Sequence, residues 1–376
     1  MFNPKRPVVF INLEELRRMK NERLVPAQDL RVLHEFAEGL LSEPTLKVTA
    51  RRLKAPSGNP HDYTSMGPYW WPNPDTPDGL PYIRRDGYTN PDTVDKNEPV
   101  KLFFDVFKMA LAAYYFDDDR YAEYAERQLY DWFVNPETHM KPHGKYVQAI
   151  PGICEGRGVG LIDFNHSYYL FDGVRILEAI GKIDPETVRS IEIWFSDFTD
   201  WMLTDEIGLS EANANGNHAS WYDSQIICAA LFTGRKNLVN FIADSYYKRR
   251  LMWQMRDDGG QPEELIRTKA LNYSVFNIAA AISIAKIAIR RGDERYLKPD
   301  PTRGFPLIRR MVDFVWDAWK NPDEFGIEEI HSELVCYNLH ESLAEMAALY
   351  PGEGYEEKAN ETYAVGDIYN LFPHAL

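Results

Sequence analysis

Two short pairs of residues carry most of the chemistry that this sequence offers. Asn217 and His218 are adjacent, an amide donor beside an imidazole, within a polar run from Asn213 to Gln225 that leads into the apolar segment Ile226 to Phe232. A join of that kind places polar groups at the mouth of a buried cleft. Asn213 and Asn215 in the same run read as turn residues, because Asn tolerates left-handed backbone and caps helices. Downstream, Arg267 and Tyr273 stand under two turns apart in the run Gly259 to Ser274. On a regular helix they would point roughly 120° apart, so both reach one cleft only if the helix bends or ends between them. Otherwise Arg267 is the solvated arginine of an ordinary amphipathic helix.

Further residues qualify by type and place. His166 and Tyr168 open a predicted helix, where they either line a cleft or cap the helix. Arg157 suits a carboxylate ligand or an ion pair with Glu155 or Asp163. His139 and His143 have helical metal-ligand spacing, but Pro142 and Gly144 break the helix that would bring them together, and no metal or other cofactor is expected. Asp223 and Glu264 form an alternative pair, the acid and base of a glycoside hydrolase.

The stretch from His61 to Thr93 holds Pro68, Pro72, Pro74, Pro77, Pro81 and Pro91, which forbid a long helix, and the aromatic residues Tyr63, Tyr69, Trp70, Trp71, Tyr82 and Tyr88. Long loops in compact domains are usually functional or disordered. Flat aromatic faces beside Arg84 and Arg85 suit a sugar ring that carries a carboxylate. The alternative is a rigid loop whose rings pack on the body of the protein.

The elements that must position these residues are helical. Leu30, Leu33, Ala37, Leu40 and Leu41 recur at helical spacing over 27–41. Apolar-striped segments follow at 100–116 and 120–134, separated by Asp117-Asp-Asp119, a turn and cap that make a helical hairpin. A helix over 168–180 is stopped by Gly181, and Asp184-Pro185 caps the next. Segments at 226–232, 238–250, 305–319 and 338–349 add more. The segment at 274–291 is nearly all apolar from Ile278 to Ile289. Its length and Lys286 argue for a buried inner helix over a membrane span. No stretch sustains the alternation of a half-buried strand. Roughly a dozen helices in short-looped pairs, several apolar on more than one face, predict an all-α fold: one α/α toroid, an incomplete barrel of helical hairpins, as a single domain over 1–376 with the aromatic and proline-rich loop at about 60–93.

Composition sets the outer bounds. The chain has 376 residues, 44% hydrophobic and 13% aromatic, enough for a sizeable core. Its 57 acidic and 42 basic residues give a formal net charge of −15, which argues against nucleic acid or an anionic membrane surface as partner. An anionic substrate then needs a locally basic cleft. Cys154, Cys228 and Cys336 lack metal-type spacing and read as small apolar residues. The start, Met1 to Asn12, has an apolar run too short for a signal-peptide core, so the expectation is a protein of the periplasm or exterior whose signal is missing from this sequence, or a cytoplasmic one.

With these residues in view, the sequence resembles the α/α-toroid alginate lyases, whose active site combines an Asn-His pair with an Arg in a Glu-Leu-x-Arg segment and a Tyr. The matching residues are Asn217, His218, Arg267 and Tyr273, and Tyr69-Trp-Trp-Pro-Asn-Pro74 resembles the aromatic-proline loop near the family's N terminus. One branch reads Asn-Asn-His-Ser-Tyr-Trp where this chain has Gly216-Asn-His-Ala-Ser-Trp-Tyr-Asp223. That is more similar to lyase families seventeen and thirty-eight, and closer to thirty-eight, since no β-rich second domain is evident.

The resemblance implies β-elimination in a uronic-acid polymer, alginate first: loss of the C5 proton and expulsion of the glycosidic oxygen from C4. Asn217 and Arg267 would donate to the carboxylate on which charge develops. Tyr273 and His218 would be base and acid. An unperturbed tyrosine has a pKa of about 10, so Tyr273 needs a cation such as Arg267 beside it to act as base. For mannuronate or glucuronate, where proton and leaving oxygen share a face, Tyr273 could fill both roles; for guluronate His218 would be base. The expected substrate-binding residues are Tyr69, Trp70, Trp71, Arg84, Arg157, His166, Tyr168 and Trp221. Glucuronan lyase, toroid glycoside hydrolase and non-catalytic glycan-binding protein are the alternatives.

Overall fold

In a computed structural model, which describes residues 6–374, the chain forms fifteen α-helices, a π-turn, short 3-10 turns and two small two-stranded sheets. Residues 1–5, part of the start read above for a signal, lie outside the described residues. The contacts divide the chain into two compact units, 1–7 with 36–214 and 232–234, and 8–35 with 215–231 and 235–376.

In the first unit the hairpin expected from Asp117-Asp-Asp119 forms as Glu98–Phe116 and Asp119–Phe133. Asp117 takes the left-handed conformation that ends the first helix, and the Asp118 side chain accepts from Arg120 N–H to start the second. Ser167–Ile180 stops at left-handed Gly181, and Pro185–Thr204 begins with Asp184 as cap and proline in the first turn, as the sequence predicts. Glu98–Phe116 packs on Ser167–Ile180 at Gly173, where a Cβ would lie 3.1 Å from the Phe107 Cα. A larger residue there would push the helices apart. The 61–93 stretch has more order than a loop: Thr64–Met66 pairs in parallel with Tyr146–Ala149, and Trp70–Trp71 pairs antiparallel with Ile83–Arg84. These strands are too short for the period-two signal to register in sequence.

The second unit is built on Ala270–Arg290, against which Ser332–Leu349 and Leu307–Lys320 pack. This helix is long and apolar enough to cross a membrane, but 83% of its most apolar window is buried inside the protein, which makes it the inner helix expected. Its two cations clip down the N-terminal strand of chain. Lys286 donates to the Phe10 carbonyl at 2.7 Å and to Glu345 at 2.6 Å, and Arg290 donates to the carbonyls of Val8, Val9, Phe10 and Ile11. His374 closes the group from the other side of Glu345 at 2.8 Å.

Candidate active site

The Asn-rich run departs from expectation in one respect. It does not lead into a helix beginning near Ile226; the helix starts at Gly216 and runs to Phe232, so Asn217 and His218 occupy its first turn. Gly216 has φ +59°, a conformation that suits glycine. Asn213 ends the preceding Glu206–Ala212 helix, in keeping with its reading as a turn residue.

Arg267 and Tyr273 meet because the helix between them ends. Pro262–Leu265 is a single turn, Arg267 N–H still bonds back to Glu264 at 3.0 Å, and the chain then breaks at Thr268 and Lys269 before Ala270–Arg290 begins. Thr268 and Lys269 bridge to the Glu329 segment, and the Glu329 carboxylate accepts from Leu271 and Asn272 N–H at 3.0 and 3.1 Å. A carboxylate at the start of the inner helix satisfies donors that the helix leaves open and favours its dipole. With this break the Arg267 guanidinium lies over the Tyr273 ring, 4.1 Å from its centroid, and both side chains are half-buried.

Glu264 ties the two pairs together. Both its oxygens accept from Asn217, one from the backbone N–H at 2.7 Å and the other from the side-chain amide at 2.6 Å, and the residue is 1% exposed. Burial raises its pKa; the Asn217 hydrogen bonds and the nearby charges of His218 and Arg267 oppose the rise. Around Gly216 the support continues: Gln254 donates to the Gly216 carbonyl at 3.0 Å and accepts from Ser220 at 3.0 Å, while Gln261 joins Asn277 and the Ser274 carbonyl. The Oδ1 of Asn217 is buried and has no hydrogen-bond partner among the described residues. Trp221, one helical turn on, is 1% exposed and packs on Phe276, so its role is in the core beneath this surface.

The same geometry removes the hydrolase pair. Asp223 is buried and ion-paired with Arg250 at 2.6 Å; burial raises its pKa and Arg250 opposes the rise. With Asp223 bound to Arg250 and Glu264 to Asn217, neither presents the free carboxyl that paired acid and base catalysis requires.

In the first unit a second group forms around Arg157. Its guanidinium donates to the Gln148 carbonyl at 3.0 Å and to Gln148 Oε1 at 3.2 Å, and lies 5.8 Å from the Trp70 ring centre. Gln148 is anchored by its amide on Asp163 at 2.8 Å, and Ser65 and Tyr63 also donate to Asp163. Asp163 therefore holds Arg157 through Gln148, where the sequence allowed a direct ion pair. Burial lowers the Arg157 pKa, and Arg84 adds to the effect. Gly67 makes room: a Cβ there would sit 2.7 Å from Trp70 and 2.8 Å from the Arg157 guanidinium. Trp71 donates to the Tyr88 carbonyl at 3.0 Å, Arg85 lies over its ring, and Tyr69 accepts from Arg85 N–H through its carbonyl. Arg84 is exposed and ion-paired with Asp86 at 2.7 Å. Gln148 and Gly67 had no sequence signal; their importance comes from side chains brought to them by the fold, Asp163 and Arg157 for Gln148 and Arg157 and Trp70 for Gly67.

His166 stands in the left-handed region at φ +58° and makes no side-chain cap, which removes the capping alternative. Its ring stacks on Tyr169 and contacts Asn165 Oδ1, and burial lowers its pKa to about 3, so it is neutral across the working range of most enzymes. A non-glycine residue in this conformation costs on the order of 1 to 3 kcal/mol, a strain that often marks functional positions. Tyr168 beside it is 1% exposed and packs in the core. His139 bonds the Asn135 carbonyl and His143 bonds Asp62, so the two have separate partners. A shallow cleft of about 450 Å³ lined by Lys145, Tyr146, Glu155, Asp205 and Glu206 also belongs to this unit; its three acids make it unsuited to a polyanion.

Comparison with known proteins follows the same direction. The alginate lyase family model matches residues 47–325. An alginate lyase from Bacteroides ovatus, solved at 1.60 Å, is 31% identical, with 99% of this chain and 100% of that chain covered and a TM-score of 0.90. Alginate lyase A1-III, as a histidine-to-alanine variant complexed with tetrasaccharide, aligns at TM-score 0.55 and 15% identity over 86% of this chain and 80% of that one. A tyrosine-to-phenylalanine variant in the same kind of complex gives 0.55 and 14% over 85% and 80%. The A1-III enzyme is from Sphingomonas species A1. These last two matches speak for the fold, all-α and of the toroid class. No curated protein sequence matches the chain significantly.

Proposed function

The chain belongs to the alginate lyase family, and on that premise we propose that it is a polysaccharide lyase that cleaves alginate, an anionic uronic-acid polymer, by β-elimination. The observation that carries the residue roles is the Arg267 guanidinium over the Tyr273 ring, in the same unit as Asn217 and His218 on the first turn of their helix. The C5–H bond breaks as its proton passes to the base. The electron pair forms the C4=C5 double bond, the C4–O4 bond breaks, and the leaving oxygen takes a proton. Negative charge grows on the C6 carboxylate meanwhile, and Arg267 and Asn217 donate to it; one such preorganised donor is worth on the order of 10² to 10³ in rate. The cation beside Tyr273 favours the phenolate that a base requires. Tyr273 is base and acid for mannuronate, and His218 is base for guluronate, where proton and leaving oxygen lie on opposite faces.

Trp70, Trp71 and Arg157 bind uronate units, the rings by stacking and the guanidinium by charge-assisted hydrogen bonds. Arg157→Lys is expected to raise KM about tenfold and leave kcat within about twofold, since a charge-assisted contact contributes roughly 1.5 to 3 kcal/mol of binding. Steady-state kinetics check it, and a fall in kcat at unchanged KM would contradict a binding role. Neutral His166 adds contact without a pH dependence of its own between pH 5 and 8. A polymeric substrate favours an enzyme that acts in the periplasm or is secreted, with the cytoplasm as the alternative.

The test is purified protein against polymannuronate, polyguluronate and glucuronan, followed by the ultraviolet absorbance of the new alkene. Absorbance with the alginate blocks supports the reading. Absorbance with glucuronan alone makes it a glucuronan lyase, and reducing ends without absorbance would mean hydrolysis.

A further inference from the structure

We propose that Glu264 is a positioning residue whose proton decides which end of the Asn217 amide meets the substrate carboxylate. The inference rests on the reading that Asn217 belongs to the elimination site. A carboxylate can only accept hydrogen bonds, so while Glu264 is ionised it holds the Asn217 NH₂ toward itself, as the 2.6 Å contact shows. That orientation leaves Asn217 Oδ1 buried and, among the described residues, without a hydrogen-bond partner, at a cost of about 1 to 3 kcal/mol, and commits one of the two amide N–H donors to Glu264.

Rotation of the amide by 180° exchanges Oδ1 and Nδ2 with almost no change in shape. Once Glu264 carries a proton on the oxygen near the side chain, its O–H donates to Oδ1, its other oxygen still accepts from the Asn217 backbone N–H, and the NH₂ is released toward an incoming carboxylate. Asn217 Oδ1 and both Glu264 oxygens are then engaged. Burial at 1% exposure favours a proton there, while the charges of His218 on the Gly216 helix and Arg267 on the segment beyond its own turn oppose it and are the groups that a second anion would engage. When a uronate carboxylate binds beside Arg267, it competes for that cation and favours the protonated carboxyl further. The site thus exchanges a fixed internal anion for the substrate's.

The experiment measures kcat/KM against pH on polymannuronate, by alkene absorbance, for the wild-type chain, Glu264→Gln, Glu264→Ala and Asn217→Ala. A glutamine reproduces the protonated arrangement, because its NH₂ donates to Asn217 Oδ1 while its oxygen accepts the backbone N–H. Glu264→Gln is therefore expected within about threefold of the wild-type maximum and without the decline expected of the wild type as pH rises through the ionisation of Glu264. Glu264→Ala is expected to lose on the order of 10² in kcat/KM, as for loss of one oriented donor. A Glu264→Gln protein as impaired as Glu264→Ala, or one that keeps the wild-type pH limb, overturns the proposal. So does wild-type activity in Glu264→Ala. If Glu264→Ala does not fold, the pH comparison between the wild type and Glu264→Gln decides alone. Reduced activity in Asn217→Ala beside a failed Glu264→Gln result removes this inference only; full activity in Asn217→Ala removes the site reading, and this inference with it.

Discussion

Tyr273→Phe is expected to lower kcat on polymannuronate by about 10² to 10⁴ while KM moves less than about threefold, because the substitution removes a proton carrier and little else. The phenylalanine ring keeps the face that packs under the Arg267 guanidinium, 4.1 Å from the ring centroid, so the break between the two helices has no reason to move. Tyr273 sits in the first turn of Ala270–Arg290, where its backbone N–H bonds the Lys269 carbonyl and Glu329 holds the neighbouring donors, so the backbone at this position is fixed independently of the side chain. His218→Ala separates the stereochemical cases. With Tyr273 as base and acid for mannuronate, His218→Ala retains more activity on polymannuronate than Tyr273→Phe does, and the order reverses on polyguluronate. Initial alkene rates on the two defined blocks measure this, and wild-type rates for both variants on both polymers would remove Tyr273 and His218 from the mechanism.

How much of this was legible in the sequence depended on the range of the interaction. Capping and hairpin signals are local, and Asp118, Gly181 and Asp184-Pro185 place their helix ends as read. The site was half local. Asn217-His218 is a dipeptide and could be seen at once, but its helix start at Gly216 was hidden, because an Asn-rich run satisfies turn and helix-cap statistics equally. The Arg267 and Tyr273 pairing required a break, and the sequence could state that condition without showing it met. What meets it is Glu329, whose carboxylate lies across the start of the inner helix from 58 positions away. Glu264 was read only as one carboxylate of an alternative hydrolase pair with Asp223 for the same reason: a carboxylate's role is set by its partner, and Asn217 is 47 positions distant. Arg84, read with the sugar-binding rings, has a partner two residues away in Asp86, so a short-range ion pair was the simpler expectation there.

Lys286 was visible only as the charge that spoiled an apolar helix, and its setting predicts a large stability effect. Both Lys286 and Glu345 have no exposed side-chain surface and stand 2.6 Å apart, with His374 on the second Glu345 oxygen and the Phe10 carbonyl on the ammonium. Burial would raise the Glu345 pKa, but the Lys286 and His374 charges outweigh it and hold it at about 2. Lys286→Met removes the ammonium at nearly constant volume and leaves Glu345 buried without its main counter-charge. The expected cost is about 3 to 5 kcal/mol, read as a shift in the urea midpoint. Lys286→Met with Glu345→Leu should recover much of it, since a buried ion pair replaced as a pair is often neutral. The pH dependence has a definite sign. A carboxyl with a depressed folded-state pKa contributes stability that is complete above its unfolded value of about 4.3 and is lost as pH falls toward 2. Wild-type protein should therefore weaken steadily between about pH 4.5 and 2. In Lys286→Met this acid-labile contribution should largely vanish, because protonating an uncompensated buried Glu345 relieves its cost. Equal acid sensitivity in both proteins would mean that the Lys286 and Glu345 charges are not coupled to folding.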